Sequence, residues 1–270
     1  MNTPILRCLR CVLTMVILPL ITSSAASANA PSASGWISLF NGKNLDGWTP
    51  KISGHPVGEN FGNTFRVENG VLKAEYDRYG GKFALQFGHL FTDIPYANYI
   101  VRLEYLITGD VLPDAPSWAG YNSGVMIHAQ SPQSMGLDQS WPVSVEGQIL
   151  AEGTSAGRQT ANAVTIGTRI LIDGQPSTRH VMDSTSRLYP LDHWVTFEIE
   201  VHGNELVIHR INGEEVMRYT HPVLVDTDVD AKRLLDAGAS RELSYGFIAL
   251  QAEGHPVWFR NIKIRPLDTR

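Results

Sequence analysis

From Trp194 to Tyr219 apolar and polar residues alternate with a period of two, and this pattern constrains the fold more than any other feature. Val195, Phe197, Ile199 and Val201 share one face, with Thr196, Glu198 and Glu200 on the other. His202-Gly203-Asn204 turns the chain, Leu206 to Ile211 returns it, and Asn212-Gly213 makes a two-residue turn into Glu215 to Tyr219. A meander with one apolar face has to bury it against a second layer. The same period recurs in Trp36 to Phe40, in Tyr99 to Ile107, and in the hairpin of Phe65 to Val67 and Val71 to Tyr76 around Glu68-Asn69-Gly70. It returns in Tyr245 to Gln251 and Val257 to Ile264, while only Asp230 to Ala237 could form a helical turn or two. With no repeat and no linker, the pattern predicts an all-β, two-sheet antiparallel sandwich of jelly-roll type.

The N-terminus reads as an export signal over residues 1–28, ahead of one domain over residues 35–267. Arg7 and Arg10 precede an apolar run from Val12 to Ile21, and Ala26-Ser27-Ala28 has the form of a cleavage site. The run is too short for a retained membrane span, which leaves an uncleaved anchor as the alternative reading. Both cysteines, Cys8 and Cys11, fall in the leader. The exported form would therefore have neither a disulfide nor a thiol nucleophile. The net charge is −5, and the part beyond the two leader arginines is more acidic still. Without runs of Lys or Arg, neither nucleic acid nor, after cleavage, a membrane is an expected partner. A neutral carbohydrate or glycoside substrate remains compatible.

Candidate chemistry concentrates between Asn122 and Leu150. Val125 and Ile127 share one face, leaving Asn122, Gly124, Met126 and His128 on the other. In the next strand Val143, Val145 and Ile149 oppose Ser144, Glu146 and Gln148. A face carrying Asn, His, Glu and Gln beside Trp141 suits a polyhydroxylated ligand. Ala151 to Leu188 follows, rich in Gly, Ser, Thr and Arg, with only Thr168 to Ile172 able to form a short strand. Long irregular segments are usually functional, so this one is expected either to cover the Glu146 face or to be a surface insertion. Arg158, Arg179 and His180 are its candidate ligand contacts.

The run Leu39-Phe40-Asn41-Gly42-Lys43-Asn44-Leu45-Asp46-Gly47-Trp48 resembles the opening of the 3-keto-disaccharide hydrolase family, formerly a domain of unknown function. Asn122-Ser123-Gly124, Glu146-x-Gln148 and the closing Leu250-Gln251 to Val257-Trp258-Phe259-Arg260-Asn261-Ile262 resemble it in the same order, from about Gly35 to Ile264. The resemblance implies a fold of the concanavalin A-like lectin and glucanase type, and a substrate whose sugar carries a ketone at carbon 3. Such a ketone acidifies the hydrogen on carbon 2. Its loss gives an enolate that expels the glycosidic oxygen from carbon 1, and water then adds to the enone. A site for this needs a base near carbon 2, a donor or cation at the enolate oxygen, and an acid for the leaving oxygen. A sugar 3-oxidoreductase acting upstream would supply the ketone.

Glu146, on which the family's Glu-x-Gln pattern falls, is the candidate base or acid; the plain alternative is a solvated surface carboxylate. His128 is a second catalytic candidate, or a packed core histidine. Glu104 could share the face, or could pair with an arginine such as Arg102 or Arg260. Asn122 and Gln148 suit sugar hydroxyls, Trp141 could stack on a sugar ring, and Arg260 could anchor an oxyanion or tie down the last strand. His89 and His255, in turn-like Gly-His contexts, are candidate rim contacts. No His-x-His or His-Glu-x-x-His spacing specifies a metal, so no cofactor is firm, although a divalent cation would serve as enolate stabiliser. Two other readings stay open. One is a two-carboxylate glycosidase using Glu104 and Glu146, weakened because no acid lies two or four residues from Glu146. The other is a non-catalytic carbohydrate-binding module.

Overall fold

A computed structural model of the chain describes Met1 and residues 35–268, so the leader and its cleavage site lie outside the described residues. Those residues form two antiparallel sheets. The ten-stranded sheet contains β1 (Ile37–Ser38), β3 (Phe65–Glu68), β4 (Val71–Ala74), β6 (Asn98–Ile107) and β10 (Thr168–Ile172). It is completed by β11 (Gln175–Pro176), β13 (Val195–His202), β14 (Leu206–Ile211), β15 (Glu214–Leu224) and β17 (Val257–Pro266). The seven-stranded sheet runs in the order β12 (Val181–Met182), β9 (Ala163–Ile166), β8 (Ser144–Leu150), β7 (Asn122–Ala129), β16 (Phe247–Ala252), β5 (Gly88–Thr92) and β2 (Trp48–Ile52). The architecture is the expected jelly-roll sandwich.

Local chemistry accounts for the clearest elements. Asn69 and Gly70 have φ of 52° and 78°, and Asn212 and Gly213 of 50° and 88°, the left-handed pairs that two-residue hairpins require. The meander forms as expected, with Phe197 opposite Leu103 on one side and Ile211 on the other. Val101, Leu103, Tyr105, Phe197 and Ile199 of the ten-stranded sheet pack against Val125, Ile127, Val145, Ile149 and Leu250 of the seven-stranded sheet. Each such fully buried side chain contributes roughly 1.5–3 kcal/mol, and with no cysteine beyond Cys11 this core holds the domain. The helix α1 (Val229–Asp236) is capped by Asp228, whose carboxylate accepts from the Asp230 and Ala231 amides.

Three expectations need correction. His89 lies within β5, paired with the edge strand β2, rather than at a rim. Every residue of β5 is buried, which erases the alternation a sequence reading depends on. The segment from Ala151 to Leu188 holds four short strands instead of one: β9 and β12 widen the seven-stranded sheet beside β8, while β10 and β11 cross to the other. Val143 packs with Leu224 and Ala231 in a small separate cluster, away from Val145 and Ile149.

Candidate active site

Which face of β8 is which follows from Gly147. A Cβ there would lie 2.8 Å from both Ile199 Cδ1 and Phe197 Cζ, so position 147 looks into the sandwich and Glu146 and Gln148 look out. Opposite them, Gly124 of β7 leaves the space that the Glu146 side chain fills. A Cβ on Gly124 would stand 2.6 Å from Glu146 Cγ and 2.7 Å from Cδ. The carboxyl thus lies flat across the neighbouring strand.

A cleft of ≈ 530 Å³ opens over this outer face. Its floor holds Asn122, Glu146 and Gln148, and its walls include Trp118, Trp141, Arg158, His180 and Glu253. Six of the residues singled out in the sequence therefore meet here: Glu146, Asn122, Gln148, Trp141, Arg158 and His180. The long segment does cover the face, supplying Arg158, Val164, Thr165 and His180. Arg179 turns away to Asp183, with Nη1 donating to the carboxylate at 3.0 Å.

The floor amides form a directed chain. Asn162 Nδ2 donates to Gln148 Oε1 at 2.9 Å, Gln148 Nε2 to Asn122 Oδ1 at 3.3 Å, and Asn122 Nδ2 to the Trp118 carbonyl at 3.4 Å. Asn162 is itself fixed by the Ser184 amide, which donates to its Oδ1 at 2.9 Å. Behind the floor, buried His255 holds the start of β7, its Nε2 accepting from the Asn122 amide at 2.9 Å. His255 is a brace beneath the cleft.

Glu146 and Glu253 are 4% and 1% exposed, and each keeps one oxygen with no hydrogen-bond partner: Oε1 of Glu146 and Oε2 of Glu253. Burial raises the Glu146 carboxyl well above the usual carboxylate range; Glu253 repels its charge as well, and Arg158 opposes both. Burial pushes Glu253 up to about 8, against the hydrogen bond that Trp141 Nε1 donates to its Oε1 at 3.0 Å. Trp141 is held in turn by Gln139 Nε2, which donates to the Trp141 carbonyl and to Gln130 Oε1, both at 2.8 Å. Trp118, 45% exposed, lies almost parallel to Phe87, with ring centroids 5.8 Å apart. It offers an aromatic wall on which a sugar ring can stack. Two proton-exchanging carboxyls, an aromatic wall and oriented amides can bind a sugar and move a proton.

Three further sequence candidates, His128, Glu104 and Arg260, do not join the cleft. The pairing of β7 with β16 shifts register between Phe247 and Ala249, and His128 has φ of 50°. This bulge turns its ring off the outer face towards the Gly203 backbone, where burial lowers it to about 4. Glu104 lies in the other sheet, where Arg260 Nε and Asn261 Nδ2 each donate to it at 2.7 Å. Arg260 also lies 4.0 Å over the Trp194 ring, tying β17 to its neighbours.

Sequence reasoning missed Glu253, Trp118 and Asn162. Extending the alternation Ala249, Gln251 by one step reaches Glu253, and that was its signal. Trp118 sits in a Pro- and Gly-containing loop, in sight only because Asn122 follows four residues later. Nothing local marks Asn162. No acid lies two or four residues from Glu146 in sequence, but Glu253, directly after β16, brings a second carboxyl to the cleft from a distant segment. Among the described residues no three His, Asp, Glu or Cys side chains converge as a metal site would require.

The fold and the site together define a jelly-roll sandwich with a carboxyl-bearing cleft on one outer sheet face. Within it, residues 35–265 match the model of the 3-keto-alpha-glucoside-1,2-lyase-like domain, and the chain belongs to that family. It is 25% identical over 262 residues to a 3-keto-disaccharide hydrolase of Bacteroides thetaiotaomicron, covering 87% of this chain and 80% of that protein. Crystal structures of candidate glycosyl hydrolases from Parabacteroides distasonis share the fold. One is 21% identical with a TM-score of 0.51 over 87% of this chain and 95% of its own. Another is 20% identical with a TM-score of 0.52 over 86% and 99%.

Proposed function

We propose that this chain is an exported hydrolase that cleaves the glycosidic bond of 3-keto-glycosides, 3-keto-disaccharides among them, by removing the proton on carbon 2, eliminating the glycosidic oxygen and hydrating the enone. The observation that carries this reading is the pair of buried carboxyls, Glu146 and Glu253, in one cleft with Trp118 and the Asn122–Gln148 amides. Family membership supports the substrate class. An elimination needs one group to take a proton and another to give one, and burial favours a pair that holds protons at neutral pH. Arg158 is the cation placed to favour negative charge on the enolate oxygen. Export rests on the leader, and an upstream sugar 3-oxidoreductase would supply the ketone.

The carboxyl pair also favours a second reading, an ordinary two-carboxylate glycosidase in which Glu253 takes the place first given to Glu104. One experiment separates these readings. Purified protein is offered a β-glucoside and its 3-keto counterpart, with and without a chelator, alongside Glu146→Gln. Release from the keto sugar alone is the expected result. Release from both substrates would favour the glycosidase, and binding without release, unchanged in the variant, would leave a carbohydrate-binding module.

A further inference from the structure

We infer that Glu253, held by the Trp141 indole, is the base that takes the carbon-2 proton, and that Glu146 is the acid that protonates the departing glycosidic oxygen. This assignment rests on the 3-keto-glycoside reading and divides the two roles within it.

Both carboxyls line the cleft and both are over nine-tenths buried, so their neighbours decide which ionises first. An indole N–H can only donate, and Trp141 donates to Glu253 Oε1 at 3.0 Å, an arrangement that stabilises an anion. Glu146 Oε1 receives no hydrogen bond; the side chain lies over Gly124 with Met126 directly opposite it in register. Its anion is the more poorly solvated of the two. The other charged or titratable groups nearby are Arg158, which favours the Glu146 anion, Tyr76 beside Glu253, and His180 and Asp228 farther along the cleft. Arg158 is half-buried at the cleft wall, its Nε donating to the Ala156 carbonyl at 3.3 Å, and its pull does not offset the burial of Glu146. When the pair gives up one proton, it leaves Glu253.

The cycle then balances. Glu253 carboxylate takes the proton from carbon 2, and the C–H electron pair forms the enolate with its charge on the ketone oxygen. That charge re-forms the ketone, the electrons make the double bond between carbons 1 and 2, and the bond from carbon 1 to the glycosidic oxygen breaks. The leaving oxygen takes the Glu146 proton. Glu146 carboxylate next takes a proton from water as the hydroxide adds to carbon 1, and Glu253 returns its proton to carbon 2. Both residues recover their starting states and no redox partner is needed.

The test uses two 3-keto-glucosides, one with a nitrophenyl and one with a methyl aglycone, and a 3-keto sugar with no leaving group for carbon-2 deuterium exchange. Glu253→Gln is expected to lose about 10³-fold in kcat on both glucosides and to lose exchange. Glu146→Gln is expected to keep exchange and, in a single turnover, to release nitrophenol within about tenfold of the wild-type rate, since that leaving group needs no proton, while losing about 10³-fold on the methyl substrate. Exchange lost in Glu146→Gln but kept in Glu253→Gln would reverse the roles and overturn the inference. If wild-type protein releases nothing from either keto substrate, the underlying reading fails instead. Should Glu253→Gln not fold, Trp141→Phe replaces it: the acid limb of its kcat/KM profile should move to higher pH while the alkaline limb stays. An unmoved acid limb would overturn the assignment.

Discussion

On the outer face of the ten-stranded sheet, carboxylates stand opposite cations in register: Glu198 faces Arg102 and Arg210, and Glu104 faces Arg260. Arg102 Nε donates to Glu198 at 2.7 Å, Arg210 Nη1 to Glu200 at 2.7 Å, and Arg260 Nε to Glu104 at 2.7 Å. On the outer face of the seven-stranded sheet, Glu146 stands opposite Met126 and Val164, and its carboxyl neighbour is another acid, Glu253. The first arrangement is nearly neutral for stability, since partly exposed pairs contribute about 0–1 kcal/mol each. The second is costly, because buried carboxyls without full hydrogen bonding lose solvation that nothing restores. A fold that carries both faces keeps the costly one for chemistry.

The sharpest way to break this contrast uses two glycines on adjacent strands. Gly124→Ala pushes a methyl against the Glu146 side chain on the outer face, and a displaced catalytic group costs on the order of 10²-fold in rate. The expected result is a kcat on the methyl 3-keto-glucoside reduced by about that factor with thermal stability near wild type, because the interior is untouched. Gly147→Ala drives its methyl against Phe197 and Ile199 instead, and overpacking of this kind costs roughly 1–3 kcal/mol. It should lower Tm while the folded fraction keeps its kcat. If both variants show the same phenotype, the two sides of the sheet are not functionally distinct.

Those glycines also mark what a sequence can reveal. The direction of Glu146 and Gln148 was legible because alternation and two-residue turns are local properties of the backbone. His128 followed the same alternation and ended on the wrong side, since the bulge against β16 belongs to the pairing of two distant strands. The Arg260 partner of Glu104 is a matter of register, which the sequence left as one of two options. Glu253 and Trp118 reach the cleft, and Asn162 reaches Gln148 in its floor, from three separate segments that only tertiary packing brings together. The leader and its bearing on export belong to residues outside those described.

A second, smaller contrast lies in how stability depends on pH. Glu253 is raised to about 8 and Glu146 well above its ordinary value, so above about pH 4.5 the native state holds protons that the unfolded chain releases. Their contribution is complete below the unfolded value and is lost as pH rises through the folded one. His89, His128 and His209 are lowered by burial, to about 3, about 4 and about 4, so the stability they permit is lost as pH falls below about 6.5. Tm should therefore fall towards pH 9 in the wild type, by about 2–4 °C for each kcal/mol lost. Replacing both cleft carboxyls by Gln should flatten that limb and leave the acid limb alone. A persistent alkaline fall in the double variant would place the responsible groups elsewhere.

The smallest expected effect comes from the paired face. Although burial alone would raise the Glu104 carboxyl, hydrogen bonds from Asn261 and Arg260 outweigh it and hold it below its ordinary value. The sign is opposite to that of the cleft acids: its stabilisation is present above the ordinary carboxylate value and is lost as pH falls through the lowered one. In Glu104→Gln the amide oxygen still accepts from Asn261 or Arg260, and Arg260 keeps its seat over the Trp194 ring at 4.0 Å. The loss should stay within about 1 kcal/mol at pH 7, vanish at acid pH where the wild-type carboxyl is itself neutral, and leave kcat and KM on a 3-keto-glycoside unchanged. Thermal melts from pH 7 down through the acid range, with steady-state kinetics beside them, measure all three. A drop in kcat comparable to that of Glu146→Gln would mean that the paired face takes part in the reaction, and the division of labour between the two sheets would have to be redrawn.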